Sequence, residues 1–410
     1  KCGSYTGNGS ASNSVTLGFE PQFLLIKNAS GSNGWLLFDN IRGITHYGAD
    51  DDRYIFANST DAEGASGNFL ALSADGFKLT VNNTNTNTDG STYIYMAIRR
   101  GPMQTPTAAT SVFNVQKYTG DGTQARKITT NFVVDANITS GLAVDYRTVI
   151  GARLFDGILQ TSQTTNQYYS LSGWMGYDHN DGYIMGEAAN YGYQNANSVE
   201  YISYSFSRAP KFFDVITYAG TGSEQTLKHN LGAVPELIIR KKLSASDSWE
   251  VASQITSTHY NASYLNTGGA ATSVALSTSG MLMGTPTSTQ FNALAASADF
   301  VNYLFATLAG ISKVGSYSGT GSDVNVDCGF TSGARFVLIK RTDSSGDWYH
   351  WDSVNGIVAG NDPYLLFNSD AAQVTNTDYI DPLSSGFTIT SNAGSDLNTN
   401  GGTYLFLAIA

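Results

Sequence analysis

Short apolar segments bounded by polar turns recur along the whole chain. Phe77 and Leu79 alternate with polar residues, and so do Phe387 and Ile389. A period of two predicts a strand with one buried face. Other runs, such as "FLLIK" at 23–27, are short and uninterrupted, as in largely buried strands. No segment combines helical periodicity with end caps. The pattern therefore predicts an all-β fold with little or no helix.

A Tyr-x-Gly-x-Gly motif occurs four times. Its copies begin at Tyr5, Tyr118, Tyr218 and Tyr317, at intervals of 99 to 113 residues. We expect its glycines to form a tight turn after a first strand. A repeat of this length indicates tandem modules, each large enough to bury a core of its own.

Further landmarks follow each motif in the same order. An apolar run with a basic end precedes a tryptophan segment, which the second copy reduces to "RLFD" at 153–156. We expect the equivalent Trp35, Trp249 and Trp348 to lie in cores. A glycine turn then leads into a strand, and an aromatic strand closes the unit. We expect the turn glycines to supply positive φ angles: they are Gly76, Gly182, Gly280 and Gly386.

These landmarks divide the chain into four tandem antiparallel modules of β-sandwich or jelly-roll-like type. The modules are predicted at 1–101, 112–210, 211–310 and 311–410, with "GPMQTPTAATS" at 101–111 as the clearest linker. Lys1 lies directly against the first repeat, which favours a chain that continues upstream. The last predicted strand reaches Ala410, which favours a genuine C-terminus.

Charge and composition exclude several classes of function. The formal net charge is −11 and no Lys/Arg cluster is present, so we expect no binding to nucleic acid or to anionic membranes. No apolar run approaches the ~20 residues of a membrane span. The aromatic content of 12% also excludes intrinsic disorder.

Catalytic and metal-binding motifs are absent from the sequence. The five histidines fall at non-equivalent places and none has a partner at metal-ligand spacing. Paired acids, either Asp50–Asp52 or Asp178 with Asp181, leave open a bound cation or a glycoside hydrolase pair. We nevertheless predict no cofactor, no metal and no enzymatic activity. Cys2 and Cys328 are expected to be free or buried thiols.

The second module contains an aromatic-rich segment. Residues 168–193 hold six tyrosines and Trp174. Tyr and Trp dominate recognition surfaces, although they also fill sandwich cores. The candidate contacts for a ligand or receptor are Tyr168, Tyr169, Trp174, Tyr177, Tyr191 and Tyr193, with Trp351 of "DWYHWD" as a further one.

Two stretches carry a resemblance to a known class of protein. They are residues 207–241 and the last module, with "GSYSGTG", "FVLIKR", "DWYHWD" and "GGTYLFLAIA". Both resemble tandem hundred-residue modules of tail-fibre and other virion structural proteins of tailed bacteriophages, particularly marine and cyanobacterial ones. The resemblance covers almost the whole chain and is loose in the second module. It brings no catalytic motif with it.

The resemblance implies a non-enzymatic, tail-fibre-like protein on the virion surface, in contact with the host through exposed aromatic loops. Its expected partners are other virion proteins, a host cell-surface glycan or protein, and further copies of the chain, with a homotrimer favoured. Three alternatives remain open at this point: a capsid, tail or collar decoration protein without a receptor role, a polysaccharide depolymerase, and a secreted adhesin.

Overall fold

The computed structural model confirms the all-β, antiparallel class. It describes residues 1–11, 13–44, 52–65, 67–99, 104–123, 125–143, 146–155, 157–166, 175–185, 194–276, 280–294 and 297–410. Within these ranges, helix is confined to a 3₁₀ turn at Ala109–Ser111 and to α1 at Ser395–Asn398. No helix in the described part is long and apolar enough to cross a membrane.

The first module contains two sheets. Its strands are β1 (Cys2–Thr6), β2 (Asn13–Thr16), β3 (Pro21–Asn28), β4 (Trp35–Asp39), β5 (Arg53–Phe56), β6 (Gly64–Ala65), β7 (Leu70–Ser73), β8 (Gly76–Leu79) and β9 (Thr92–Arg99). The large sheet has the order β1-β9-β3-β4-β5-β6 and the small sheet β2-β8-β7. Side chains of both sheets form one core cluster.

The second module repeats this plan. Its strands are β10 (Phe113–Thr119), β11 (Arg126–Thr129), β12 (Ala136–Gly141), β13 (Val149–Ala152), β14 (Leu159–Gln160), β15 (Met175–Gly176), β16 (Gly182–Met185) and β17 (Glu200–Phe206). The sheet orders are β10-β17-β12-β13-β14 and β11-β16-β15.

The third module has a reduced small sheet. Its strands are β18 (Phe213–Ala219), β19 (Glu224–Lys228), β20 (Leu237–Lys242), β21 (Glu250–Ser253), β22 (His259–Tyr264), β23 (Thr272–Ala275), β24 (Gln290–Leu294) and β25 (Asp299–Phe305). The sheet orders are β18-β25-β20-β21-β22-β23 and β19-β24.

The fourth module returns to the plan of the second. Its strands are β26 (Ser312–Ser318), β27 (Val324–Asp327), β28 (Phe336–Arg341), β29 (Trp348–Asp352), β30 (Leu365–Leu366), β31 (Ile380–Leu383), β32 (Gly386–Ile389) and β33 (Thr403–Ile409). The sheet orders are β26-β33-β28-β29-β30 and β27-β32-β31. In every module, the first strand of the large sheet therefore pairs with the closing strand. We refer to these strand groups as modules 1 to 4.

The Tyr-x-Gly-x-Gly motif fastens the first strand to the loop before the closing strand. In module 4, the Tyr317 ring stacks on Tyr404 with centroids 4.8 Å apart, and its hydroxyl donates to the Leu397 carbonyl at 2.7 Å. A Cβ on Gly319 would lie 2.3 Å from the Thr399 carbonyl oxygen. The second glycine of each motif has a positive φ, as the turn requires. Modules 1 and 2 make the same contacts.

The glycines that open the hairpin strands have a different role from the one predicted. Gly182 has a positive φ, whereas Gly76, Gly280 and Gly386 do not. Added Cβ atoms at Gly76 and Gly386 would lie 2.1 and 2.0 Å from carbonyl oxygens of the paired strand. These glycines permit close approach of two backbones, so the expectation of positive φ is wrong for three of the four.

Two other expectations need correction. In module 3, "TSGMLMG" at 278–284 contributes no named strand within its described part, 280–284, and 290–294 pairs with β19 instead. In module 2, β13 occupies the place of the tryptophan strand and "RLFD" begins after it. Val149 lies opposite Thr139, as Tyr349 lies opposite Ile339 in module 4. The residue before it, Thr148, therefore occupies the position that Trp348 has in module 4.

Modules 2, 3 and 4 pack the outer faces of their large sheets against one another. One continuous core cluster contains residues of all three modules. Ring centroids of Phe206 and Phe305 lie 6.0 Å apart between modules 2 and 3, and those of Tyr204 and Phe336 lie 4.9 Å apart between modules 2 and 4. These sheets are therefore buried on both faces, and each module has in addition its own internal core.

Backbone contacts show that this packing is cyclic. The Ala271 amide of module 3 donates to the Thr342 carbonyl of module 4 at 3.0 Å. The Gln373 amide of module 4 donates to the Leu142 carbonyl of module 2, also at 3.0 Å. Leu142 and Thr342 are equivalent, because each directly follows the last residue that pairs with the closing strand. These last residues are Gly141 in module 2 and Arg341 in module 4. We call this arrangement the three-module ring.

Candidate functional site

Two of the seven predicted contact residues lie in the described part of the chain, and both are buried. The Tyr177 hydroxyl donates to Asn137 Oδ1, and burial raises the pKa of Tyr177. The Trp351 ring stacks on Tyr349 with centroids 5.7 Å apart. The expectation that these two side chains contact a ligand at the surface is wrong, because both fill sandwich cores. The other five lie outside the described residues: Tyr168, Tyr169, Trp174, Tyr191 and Tyr193.

The first acidic cluster has a structural role where it is described. Asp52 is buried, and its carboxylate accepts the Phe69 amide at 2.5 Å and the Leu70 amide at 2.8 Å. Buried carboxylates need such partners. Asp50 and Asp51 lie outside the described residues.

In the second acidic pair, Asp181 is unsuited to the role of general acid. Asp181 Oδ1 lies 2.5 Å from Lys127 Nζ, and this hydrogen bond lowers the pKa of Asp181. A glycosidase acid needs a raised pKa to hold its proton at neutral pH. Asp178 Oδ1 lies 3.6 Å from His179 Nε2. Across the described residues, no group of three His, Cys, Asp or Glu side chains could hold a metal ion.

Lysine and tryptophan side chains form two of the junctions within the three-module ring. Trp249 Nε1 of module 3 donates to the Gln160 carbonyl of module 2 at 2.8 Å. Lys241 Nζ, from the strand opposite, donates to the Thr164 carbonyl of module 2 at 3.0 Å. Removal of the Lys241 ammonium from water lowers its pKa to about 8. Both side chains are buried because they bridge modules.

The junction between modules 4 and 3 repeats these contacts. Trp348 Nε1 donates to the Tyr264 carbonyl at 2.9 Å, and Lys340 Nζ donates to the Gly268 carbonyl at 3.1 Å. Desolvation lowers the pKa of Lys340 to about 8 as well. Module 2 has no such pair, and its junction with module 4 contains an ion pair of 2.8 Å between Arg147 Nε and Asp370 Oδ2.

A buried polar group lies between modules 2 and 4. The Tyr204 hydroxyl donates to Asp352 Oδ2 at 2.9 Å and lies 3.2 Å from His350 Nδ1. Burial lowers the pKa of His350 to about 3 and raises that of Asp352. The imidazole is therefore neutral in the folded protein. At the same register position module 1 has Leu37 and module 3 has Val251.

Module 1 presents the corresponding sheet face to solvent, so the expectation of a core position is correct for Trp249 and Trp348 and wrong for Trp35. The exposed fractions are 37% for Trp35, 40% for Ile94, 37% for Met96 and 52% for Ile98. A contiguous exposed apolar surface of this kind marks an interaction site. We call it the module 1 face; together with three half-buried neighbours its members are Phe23, Leu25, Trp35, Leu37, Ile94, Met96 and Ile98.

Module 1 is attached to the ring through other residues. Arg208 binds both carboxylate oxygens of Glu20 at 2.7 and 2.8 Å and Asp214 at 2.5 Å, and all three side chains are buried. Burial acts to lower the pKa of Arg208, but the two carboxylates outweigh it and raise that pKa. Lys228 and Asp75 add an exposed ion pair of 2.9 Å. The module 1 face takes no part in these contacts.

Sequence reasoning missed both the ring and the module 1 face. The available signal was the closing strand, since "TYLFLAI" at 403–409 and "TYIYMAI" at 92–98 are apolar on both faces. Such strands are typical of sheets covered on two sides. A second signal was the lysine eight residues before each of the three equivalent tryptophans, at Lys27, Lys241 and Lys340.

Comparison with known proteins agrees with this internal repetition. No curated protein matches the chain. One family matches in two segments, residues 1–102 and 108–410, which leaves out only part of the predicted linker. The first segment coincides with module 1, and the second with modules 2 to 4. The chain belongs to the family described as Domain of unknown function (DUF7483).

Proposed function

We propose that the chain is a non-enzymatic structural protein of a tailed-bacteriophage virion, tail-fibre-like, that contacts the host cell surface. The observation that supports this proposal best is the three-module ring. Interfaces between mobile domains are small and rather polar. Here Trp, Phe and Tyr side chains of three modules share one core, which makes a rigid block. A rigid block of antiparallel modules suits a particle appendage.

Labelling of particles tests the location. Antibodies against the chain should decorate a tail or another appendage of purified particles in electron microscopy, and mass spectrometry should find the chain among their proteins. Its absence from purified particles would contradict the virion role. A label spread over the capsid would favour the decoration alternative.

Host contact is the second part of the proposal, and it depends on the aromatic-rich segment 168–193. Purified chain should bind cells of the susceptible host, with many weak sites gaining strength from multiple copies. A single variant with alanine at Tyr168, Tyr169 and Trp174 should bind host cells at least tenfold more weakly than the wild type. Tyr264→Ala is the matched control, since that side chain is exposed in module 3. Equal binding by the wild type, the alanine variant and Tyr264→Ala would contradict a receptor role for this segment.

A further inference from the structure

We propose that the module 1 face binds the module 1 faces of two further copies of the chain. Three chains would then be joined through a second ring, built from three copies of module 1 in the way that modules 2, 3 and 4 form the first. The proposal does not depend on the location of the protein in a virion, because it follows from internal equivalence within the chain.

Strand register aligns module 1 with module 4 residue by residue. Lys27 lies opposite Trp35 in module 1, as Lys340 lies opposite Trp348 in module 4. The remaining members of the face follow from the same ladders and from pairing with the closing strand: Phe23 with Phe336, Leu25 with Leu338, Leu37 with His350, Ile94 with Leu405, Met96 with Leu407 and Ile98 with Ile409.

These equivalent positions differ sharply in burial. Leu405, Leu407 and Ile409 are 2%, 3% and 0% exposed, because the other modules of the ring cover them. Their counterparts in module 1 remain as large and as apolar, yet they are exposed in the single chain. Apolar side chains at these positions are explained if the face is covered by the same kind of neighbour.

The ring also defines which polar contacts the second ring would contain. In module 4, the amide that donates to the Trp348 carbonyl belongs to Phe367. In module 3, the corresponding amide is that of Leu265, and the residue before it, Tyr264, accepts the next module's tryptophan. In module 1, the Ala57 amide donates to the Trp35 carbonyl at 2.9 Å.

Phe56 is therefore the module 1 residue equivalent to Tyr264, and Thr60, four residues later, is equivalent to Gly268. Trp35 Nε1 of one copy should donate to the Phe56 carbonyl of the next copy. Lys27 Nζ should donate to the Thr60 carbonyl of that same copy. Within its own chain, Lys27 Nζ donates to the Asn28 and Gly31 carbonyls.

Two further copies fit this face better than the rest of the same chain. The equivalent faces of modules 2, 3 and 4 are already buried against one another. The contacts are head-to-tail, with tryptophan and lysine on one side and carbonyl groups on the other. Modules 2 to 4 close after three members, with these lysine and tryptophan contacts at two of the three junctions. Identical head-to-tail surfaces can likewise close into cyclic oligomers.

The solution mass tests the proposal directly. Light scattering on a size-exclusion column should give three times the 43.7 kDa of one chain. Dilution should convert the trimer to monomers without loss of the β-sheet circular dichroism signal. In the trimer, burial of Trp35 should shift tryptophan emission to shorter wavelength, and Trp35→Phe should remove this shift.

Charged substitutions on the face supply the matched comparison. Ile98→Lys and Met96→Lys should each give a monomer that retains the wild-type circular dichroism spectrum, because both side chains are exposed in the single chain. Val358→Lys is the control, since Val358 is comparably exposed in module 4 but lies outside the face; it should stay trimeric.

A wild-type monomer at the highest attainable concentration, a dimer, or a trimer that persists in folded Ile98→Lys would each overturn the proposal. Capture of a different protein by a monomeric chain would overturn it too. These outcomes are separate from those of particle labelling. If the chain forms a trimer but is absent from virions, only the proposed function is wrong. If the chain is found in virions but is monomeric in solution, only this inference is wrong.

Discussion

At the residue scale, the repeated motif is explained by contacts of its tyrosine and glycines. In modules 1, 2 and 4, the tyrosine hydroxyl donates to a carbonyl across the module, and the first glycine lies where a Cβ would overlap a backbone oxygen. The motif could be recognised in the sequence, but only one of the two structural reasons for its glycines could be predicted. A turn was expected from the glycines, whereas close approach between distant segments depends on tertiary packing.

Substitution of these glycines should separate the two causes. We expect Gly319→Ala to destabilise module 4 by at least about 2 kcal/mol, because its Cβ would lie 2.3 Å from the Thr399 carbonyl oxygen. Gly321→Ala, at φ +72°, should cost about 1 kcal/mol. Gly394→Ala, with open space around its Cβ, is the control. Equal unfolding temperatures for all three variants would refute this account.

His350 should make stability depend on pH. The folded pKa of about 3 lies below the ordinary 6.5, so the unfolded chain binds a proton more readily over that interval. Stability should therefore fall as pH falls from 6.5 towards 3. The raised pKa of Asp352 acts in the opposite sense, since the folded state holds that proton more firmly.

His350→Leu isolates this contribution, because module 1 already has Leu37 at the equivalent position. The drop in unfolding temperature between pH 7 and pH 5 should be smaller in the variant than in the wild type. The Tyr204 hydroxyl keeps Asp352 as its acceptor in the variant. An unchanged pH profile would show that His350 is not buried as a neutral group.

At the element scale, the strands could be predicted well and their partners only within one module. Alternation and apolar runs located β8, β28, β32 and the four closing strands. The strand predicted at 278–284 in module 3 was wrong because this segment resembles the hairpins of the other modules in sequence, whereas its described part, 280–284, forms a bridge from Met283 to Asn292. The lysine, tryptophan and arginine junctions of the ring join residues 72 to 223 positions apart, and local sequence pattern carries no information on such pairs.

The Arg208 junction should be the strong attachment of module 1. Arg208→Met leaves the buried carboxylates of Glu20 and Asp214 without their counter-charge, which costs about 3–5 kcal/mol. Lys228→Met removes an exposed ion pair of the same junction and should cost at most about 1 kcal/mol. Hydrogen exchange of module 1 amides and calorimetry measure both effects. Similar costs for the two variants would contradict a buried network.

At the scale of the whole molecule, the shared core should make modules 2, 3 and 4 unfold together. Calorimetry should show one large transition for the ring and a separate one for module 1. Trp348→Ala should lower the unfolding temperature of the whole ring and reduce its free energy of unfolding by about 3–5 kcal/mol, although the substituted residue belongs to module 4. Three independent transitions, of which only one shifts, would contradict a common core.

The ring has a consequence for how each copy of the module can diverge. Within one polypeptide every module occupies a single fixed place, so a residue needs to serve only that place. Module 2 has Ser140 and Thr148 at the positions of the Lys–Trp pair, and Arg147 with Asp370 forms its junction instead. In a ring of three identical modules, one substitution is felt at three junctions at once. Module 1 has both Lys27 and Trp35, which the proposed ring of three module 1 copies would use at each of its three junctions.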